Sequence, residues 1–565
     1  MITLSSEKTT IKKEFWVFLA TLIFLSLFMI LWCGPLSKYL GHDFHFHLIR
    51  FNVLIEAIKE GTYPIYIDYG TLEGYGYFTK AFYPDLTILP FAIIGTVIEP
   101  IVAYNIMMFT YSVLCGLFMY LVVNTIFKNF FAAFVSAIVY TFSPYHLFDW
   151  YNRAALGESI SFAFLPIIFL GLYHIIAGDY KKWYILSIGY SLIIYTHLLS
   201  SFLTFIATVF LLLICCKLLF KEPKRIQYLL LAAGVTVLVT ASYLLPMFEQ
   251  MLSNTFYYST NENVPGQMKQ YPIQMFWGML NGFLYPEDPF YMHSVSGTGP
   301  LLILLILLRF FVKEKTVLRK IADLCLVLGL IFLFMVSSYF PWGRLPLDFV
   351  QFPWRLYEFV VFFFAIAGAY YLSVLIKTKK VSFIAVSAIV IATTLMMVRS
   401  DSNYKNWQSI VKRQAPYYYF NGIPSIENQY LLGMAEYIPV KVPSLEFINE
   451  RGDEVNTTYP NTEISNFSKN KGLISFNIKT EALEKVELPY LYYKGYKAVN
   501  KAKEEFLVEE SDHGLVQVEV TKSTDIEVYY AGTIIQKISW YITLLSILGL
   551  IVYIIYSKRK DRISV

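Results

Sequence analysis

Phe15 to Trp32 reads FWVFLATLIFLSLFMILW, 18 residues without a charge. A few positions on comes Gly41-His42-Asp43-Phe44-His45-Phe46-His47-Leu48-Ile49-Arg50. The first stretch is long enough to cross the hydrocarbon core of a bilayer as a helix. It is too long for a signal-peptide core and no small-residue cleavage site follows it, so it reads as an uncleaved first span. The second stretch packs one acid, three imidazoles and one guanidinium into nine residues, where lipid gives way to water. Chemistry belongs there rather than in the apolar runs that follow.

Those runs recur along the chain. Of 565 residues, 56% are hydrophobic and only 15% charged, where a soluble protein carries about 25% charged residues. The mean hydropathy is +0.51. The fold class is therefore a polytopic α-helical membrane protein. The net charge of +5 sits in short Lys/Arg clusters between apolar runs. The positive-inside rule explains that pattern without a nucleic-acid partner. Cys33, Cys115, Cys215, Cys216 and Cys325 all fall in or at the ends of apolar runs, so no disulfide framework is implied.

Charge placement orders the spans. Lys12 and Lys13 precede the first one and Lys558-Arg559-Lys560 follow the last, so both termini are expected in the cytoplasm of a multi-pass cell-membrane protein. Counting inward and outward runs gives about 12 transmembrane helices. Residues 34–100 form an exterior loop, with Leu86 to Ile98 too short for a crossing and broken by Pro90. Residues 1–398 form the multi-span domain. Residues 399–536 are polar, with strand-like alternation at Leu473–Ile478, Val486–Tyr493, Val516–Val520 and Ile526–Tyr530, and read as a C-terminal extracytoplasmic β-rich domain. Residues 537–565 hold the last span and a basic cytoplasmic tail.

This topology collects the notable polar residues on one side. Ionisable groups at the ends of membrane helices are costly unless they face a cavity or one another. In a helix, Asp43, His47 and Arg50 share a face, with His42 and His45 on neighbouring ones. A carboxylate beside a guanidinium is poised to accept a proton as a general base. His42, Asp43, His45 and His47 also offer enough ligands for a divalent metal, and a solvated interfacial helix is the third reading. Ser143–Glu158 reads as a second exterior loop, where Tyr151, Arg153 and Glu158 offer either a phosphate contact or a structural Arg153–Glu158 pair. His197 tops a later span. In Gln351-Phe352-Pro353-Trp354-Arg355, Arg355 stands beside a lipid-facing belt, binding phosphate or pairing with Glu358 at i+3. The tyrosines of the first loop (Tyr66, Tyr69, Tyr75, Tyr77, Tyr83) serve packing or sugar stacking. No P-loop, dinucleotide fingerprint or nucleophile elbow occurs, which argues against an ATP-driven transporter.

Gly41-His42-Asp43, His47 and Arg50, then Tyr151-Asn152-Arg153-Ala154-Ala155-Leu156-Gly157-Glu158, then Gln351 to Arg355, resemble the bacterial membrane proteins labelled 6-pyruvoyl-tetrahydropterin synthase-related, and are similar to YfhO-like membrane proteins. Leu488-Pro489-Tyr490-Leu491-Tyr492-Tyr493-Lys494-Gly495-Tyr496 looks like the exterior β domain of that group. The resemblance covers most of the chain through short motifs, and nothing in these residues matches pterin chemistry. The group in turn resembles the glycosyltransferase C (GT-C) superfamily of polytopic enzymes with an acid in a long first exterior loop. That likeness implies a GT-C-like domain that takes sugar from a polyprenyl-phosphate carrier and passes it to a cell-envelope glycan or glycopolymer on the outer face. Asp43 occupies the place of the acid. The superfamily often has an adjacent acidic pair, whereas His42 and Phe44 flank Asp43 here. The implied roles are Asp43 as base, Arg153 and Arg355 as holders of the carrier phosphate, and His42, His45, His47, Arg50, Tyr151, Glu158 and His197 as further substrate contacts. The competing classes are a transporter or flippase for a lipid-linked polymer, and an assembly factor acting through the β domain.

Overall fold

A chain segment inside a bilayer must satisfy every backbone polar group internally, so its apolar runs become helices. The computed structural model describes residues 2–32, 43–257, 270–284, 295–345, 350, 352–414 and 436–563. Among them, seven helices are long and apolar enough to cross a membrane: Lys13–Trp32, Pro100–Phe127, Phe130–Arg153, Leu156–Ile176, Pro353–Leu375, Lys379–Ser402 and Ile534–Arg559. The pair Lys224–Val239 and Ala241–Ser253, bent by 71°, makes an eighth if it is one span. The sequence count of about 12 included segments that are shorter or more charged in the fold. Tyr184–Ile194 has 11 residues and Leu198–Ile214 has 17, while Val317–Val336 carries Arg319, Lys320 and Asp323.

The chain forms two compact units. The first comprises Met1–His45, Val97–Gly234 and Asn263–Tyr419. Its helix ends follow local chemistry. Pro100 opens Pro100–Phe127, and Lys128 closes it in the left-handed conformation (φ 52°). The Asn129 side chain then accepts the Ala132 N–H (3.0 Å) to start Phe130–Thr141. Gly171 lets Leu156–Ile176 meet the backbone of Tyr184–Ile194: a Cβ there would lie 2.4 Å from the Leu186 nitrogen. Leu156–Ile176 is 89% buried and Lys379–Ser402 only 17%, so the former is central and the latter presents an apolar surface suited to lipid. A two-residue pairing, β1 (Phe283–Leu284) with β2 (Val295–Ser296), also lies in this unit.

The second unit comprises Phe46–Thr96, Val235–Glu262 and Phe420–Val565. It holds the β-rich region in two antiparallel sheets. One takes β3 (Asn456–Thr457), β6 (Glu484–Leu491), β10 (Leu515–Val520) and β9 (Val508–Glu510) in that order. The other takes β4 (Glu463–Asn470), β5 (Leu473–Lys479), β11 (Thr524–Tyr530), β7 (Tyr496–Val499) and β8 (Glu505–Phe506). All four strands expected from alternation are present. In β5, Ile474, Phe476 and Ile478 point inward, as period-2 alternation requires, and Phe476 lies opposite Ile526.

The first loop does not stand apart from these sheets. Ile67, Leu72, Tyr75, Tyr77 and Phe78 are buried in the same core as the strands, with Phe256. Tyr75 and Tyr77 are 0 and 1% exposed, so they pack rather than offer faces to sugar. Leu491 N–H donates to the Tyr75 carbonyl (2.9 Å), and the Tyr75 hydroxyl to the Gly452 carbonyl. Arg451 reaches Tyr75 (3.3 Å) and pairs with Glu487 (3.2 Å). Residues 399–536 thus supply only part of this unit.

Asp68 is buried in it, its Oδ1 accepting the Gly70 N–H (2.8 Å). Burial pushes its carboxyl from 3.8 to about 6. A raised acid binds its proton more tightly folded than unfolded, so stability falls as pH rises from about 4 to 6. The full contribution is roughly 2–3 kcal/mol. Asp68→Asn keeps the acceptor for Gly70, so thermal unfolding of the full chain in detergent should lose that slope and gain stability at pH 7. An unchanged slope in the variant would refute this origin.

Candidate functional site

Glu158 is the centre of a buried charged cluster in the first unit. Its surroundings follow from the local sequence. The Ser143 side chain caps Pro144–Phe148 by accepting the His146 N–H (3.4 Å), and proline suits the first helical position. The next turn, Asp149–Arg153, is π-helical. Ala154 then adopts a left-handed conformation (φ 52°), which costs a non-glycine residue roughly 1–2 kcal/mol. Leu156–Ile176 begins two residues later, with Glu158 in its first turn. The reversal brings the Asp149, Arg153 and Glu158 side chains together. The expected second exterior loop is thus helical, and nearly all of Ser143–Glu158 is buried.

Arg153 Nη1 lies 2.9 Å from Asp149 Oδ1 and 2.6 Å from Glu158 Oε2. Arg355 Nε stands 3.5 Å from the same Oε2. The Tyr145 hydroxyl donates to Glu158 Oε1. Aromatic faces close the set: the Arg153 guanidinium is 4.5 Å from the Trp354 ring and that of Arg355 is 5.1 Å from Phe352. The Arg355–Glu358 ion pair expected at i+3 is not formed, because Glu158 takes the guanidinium. Both Glu358 carboxylate oxygens are buried without a hydrogen bond among the described residues, and the nearby Ser200 hydroxyl is 2.8 Å from His197 Nδ1. Gly157 lets His197 approach this helix: a Cβ there would lie 2.9 Å from His197 Cδ2.

Asp149, Glu158 and Glu358 are 0, 1 and 0% exposed, and Arg153 and Arg355 are 5 and 8%. Three buried carboxylates against two guanidiniums leave one surplus negative charge, and an uncompensated buried charge is very costly. Charge balance therefore calls for one bound proton or one further cation. Asp43 is the partly exposed acid of the group. Its backbone N–H donates to the Arg153 carbonyl (2.8 Å), and it lies within electrostatic range of both guanidiniums. The arrangement offers a partly exposed carboxylate within electrostatic range of two fixed cations.

Of the residues singled out in the sequence, Asp43, Arg153, Glu158, His197 and Arg355 come together in this unit. Tyr151 plays a different part, its hydroxyl donating to the Met29 carbonyl (3.0 Å) and tying the first helix to the π-turn. His45 Nε2 is buried without a hydrogen bond among the described residues, and burial holds that imidazole below its ordinary value. His42 lies outside the described residues. His47 and Arg50 belong to the second unit, where Arg50 Nη1 is 3.0 Å from His47 Nδ1. No group of three or more His, Cys, Asp or Glu side chains among the described residues is placed to hold a metal ion. Tyr145, Asp149 and Glu358 are members that the sequence marks as polar residues at the exterior ends of the spans without giving them a role, and Ser200 is one it does not mark at all. Asp149 had a signal, standing four residues before Arg153 in an apolar context; Ser200 had none.

A family model described as 6-pyruvoyl-tetrahydropterin synthase related domain, membrane protein, matches residues 81–404, more than half of the chain. No curated protein and no solved structure matches.

Removing one partner of a buried ion pair costs roughly 3–5 kcal/mol. Glu158→Gln should therefore lower the unfolding midpoint of the full chain in detergent by several degrees, whereas Asp43→Asn should leave it near wild type. Equal midpoints for wild type and Glu158→Gln would show that the network does not hold the unit.

Proposed function

The chain belongs to the 6-pyruvoyl-tetrahydropterin synthase related family of membrane proteins, and within it we propose a membrane glycosyltransferase acting on a polyprenyl-phosphate-linked sugar. One observation carries this reading. Four stretches of the chain, at Asp43, Tyr145 to Glu158, His197 and Arg355, build one cluster in which the partly exposed Asp43 carboxylate lies within electrostatic range of the Arg153 and Arg355 guanidiniums. Asp43 takes the proton of an acceptor hydroxyl as its oxygen attacks the anomeric carbon. The bond from that carbon to the carrier phosphate breaks, and the phosphate leaves with the electron pair. Arg153 and Arg355 stabilise the negative charge that develops there. Glu158 and His197 hold these groups in position.

In this proposal the scaffold is GT-C-like, with about 12 spans, both termini cytoplasmic and the acceptor a cell-envelope glycan on the outer face. A transporter or flippase for a lipid-linked polymer is the second reading. It would use the same two arginines to bind the carrier phosphate. A flippase would need no base.

Purified protein incubated with polyprenyl-phosphate sugars and glycan acceptors separates the two. The transferase releases free carrier phosphate, and Asp43→Asn slows release by about 10²–10⁴-fold while remaining folded in the membrane. Near-normal release by that variant would sink the assignment of the base. No release by wild type, together with movement of the lipid between leaflets, would favour the second reading.

A further inference from the structure

The second unit contains a cleft of about 510 Å³, including its mouth, built wholly from its own residues. One wall is a stripe of the helix Phe44–Lys59: Phe46, Ile49, Arg50 and Val53, spaced by helical period. The facing wall carries Tyr66, Asp68, Lys80, Tyr83 and Asp85, with no ion pair between Asp68 and either cation among the described residues. Arg50 Nη2 lies 3.6 Å from Asp85 Oδ1 and Lys80 Nζ 3.2 Å from Asp85 Oδ2. The three side chains are only 9, 15 and 11% exposed, so two cations share one carboxylate where water screens little. Lys80 Nζ makes no hydrogen bond among the described residues, leaving its donors unused. Arg50 is engaged differently, bonding the Pro84 carbonyl (3.3 Å) and meeting His47. Rings back both cations, Tyr83 at 4.8 Å from the Arg50 guanidinium and Tyr63 at 4.6 Å from Lys80 Nζ.

A buried ammonium with unused donors, sharing its one paired acid, Asp85, with Arg50, is an anion site. We propose that this cleft binds the phosphate group of an organic ligand, with Lys80 as the principal contact, Arg50 as supporting charge and Asp85 bridging the two until the anion arrives. The apolar stripe of Phe46, Ile49 and Val53 receives the ligand's organic part. A lysine serves a phosphate as a point charge. Either a lipid headgroup or a free phosphate ester supplies that chemistry. The inference does not rest on the transferase reading.

Calorimetric titration of the full chain in a non-ionic detergent tests it, with inorganic phosphate, glucose 1-phosphate and short-chain phosphatidylglycerol as separate probes. Binding of at least one probe is expected. Phosphatidylglycerol alone would identify the headgroup as source, and glucose 1-phosphate alone a soluble ester. Lys80→Gln should weaken that binding by roughly 10- to 100-fold. Asp85→Asn should strengthen it, since it removes the competing carboxylate; a purely structural trio would not give opposite signs. Lys471→Gln, at an exposed lysine paired with Glu60, should bind as wild type does. No binding by wild type, or loss of binding in both Lys80→Gln and Asp85→Asn with unchanged unfolding midpoints, would overturn the proposal.

Discussion

The shared use of Glu158 by Arg153 and Arg355 is the constraint on which the first unit depends. Charges this deeply buried are tolerable only when paired and hydrogen-bonded. Arg153 comes from a π-turn, Arg355 from the start of a later helix, and Tyr145 from the short helix before the turn. None of these segments can shift without stranding a charge. The strained backbone at Ala154 is held by the same network, since it lets Arg153 reach an acid on each side of the reversal. Asp43 is joined to this frame through its backbone, which fixes the position of its carboxylate without using the carboxylate up.

The second unit obeys a different physics. Its stability comes from an aromatic core in which tyrosines of the early loop pack among strands some 400 residues later in the chain, as with the Tyr69 and Tyr496 hydroxyls 3.1 Å apart (|i−j| 427). Such tyrosines bury large apolar bodies while their hydroxyls find partners. Further ties come from the helix Ala241–Ser253, where Gln250 makes paired hydrogen bonds with the backbone of Lys494 (2.8 and 3.1 Å). Phe44–Lys59 is a single helix whose first residues belong to one unit and the rest to the other. The polar island read as one cluster is therefore divided: Asp43 and His45 serve the first unit, His47 and Arg50 the second.

Membership in the pterin-synthase-related membrane family agrees with the membrane character of the chain. The matched region, residues 81–404, includes every member of the Glu158 cluster except Asp43.

Much was legible in the sequence because local rules govern it. Apolar runs of about 20 residues have no alternative to helix in a bilayer, and period-2 alternation located β5, β6, β10 and β11. The candidate residues Asp43, Arg153, Glu158, His197 and Arg355 were legible too, since an ionisable group in an apolar context is costly enough to demand a reason. What the sequence could not decide was partnership. Arg355 has Glu158 and Glu358 as possible acids, and spacing favoured the nearer; packing gave it the other. Tyr75 and Tyr77 looked like loop residues because nothing local marks a tyrosine as core. Sequence by itself determined the long apolar helices, four of the strands and which residues are too polar to be idle. Only the tertiary structure decided which of them meet, because burying a charge or a ring depends on a partner from a distant segment, which no local pattern records.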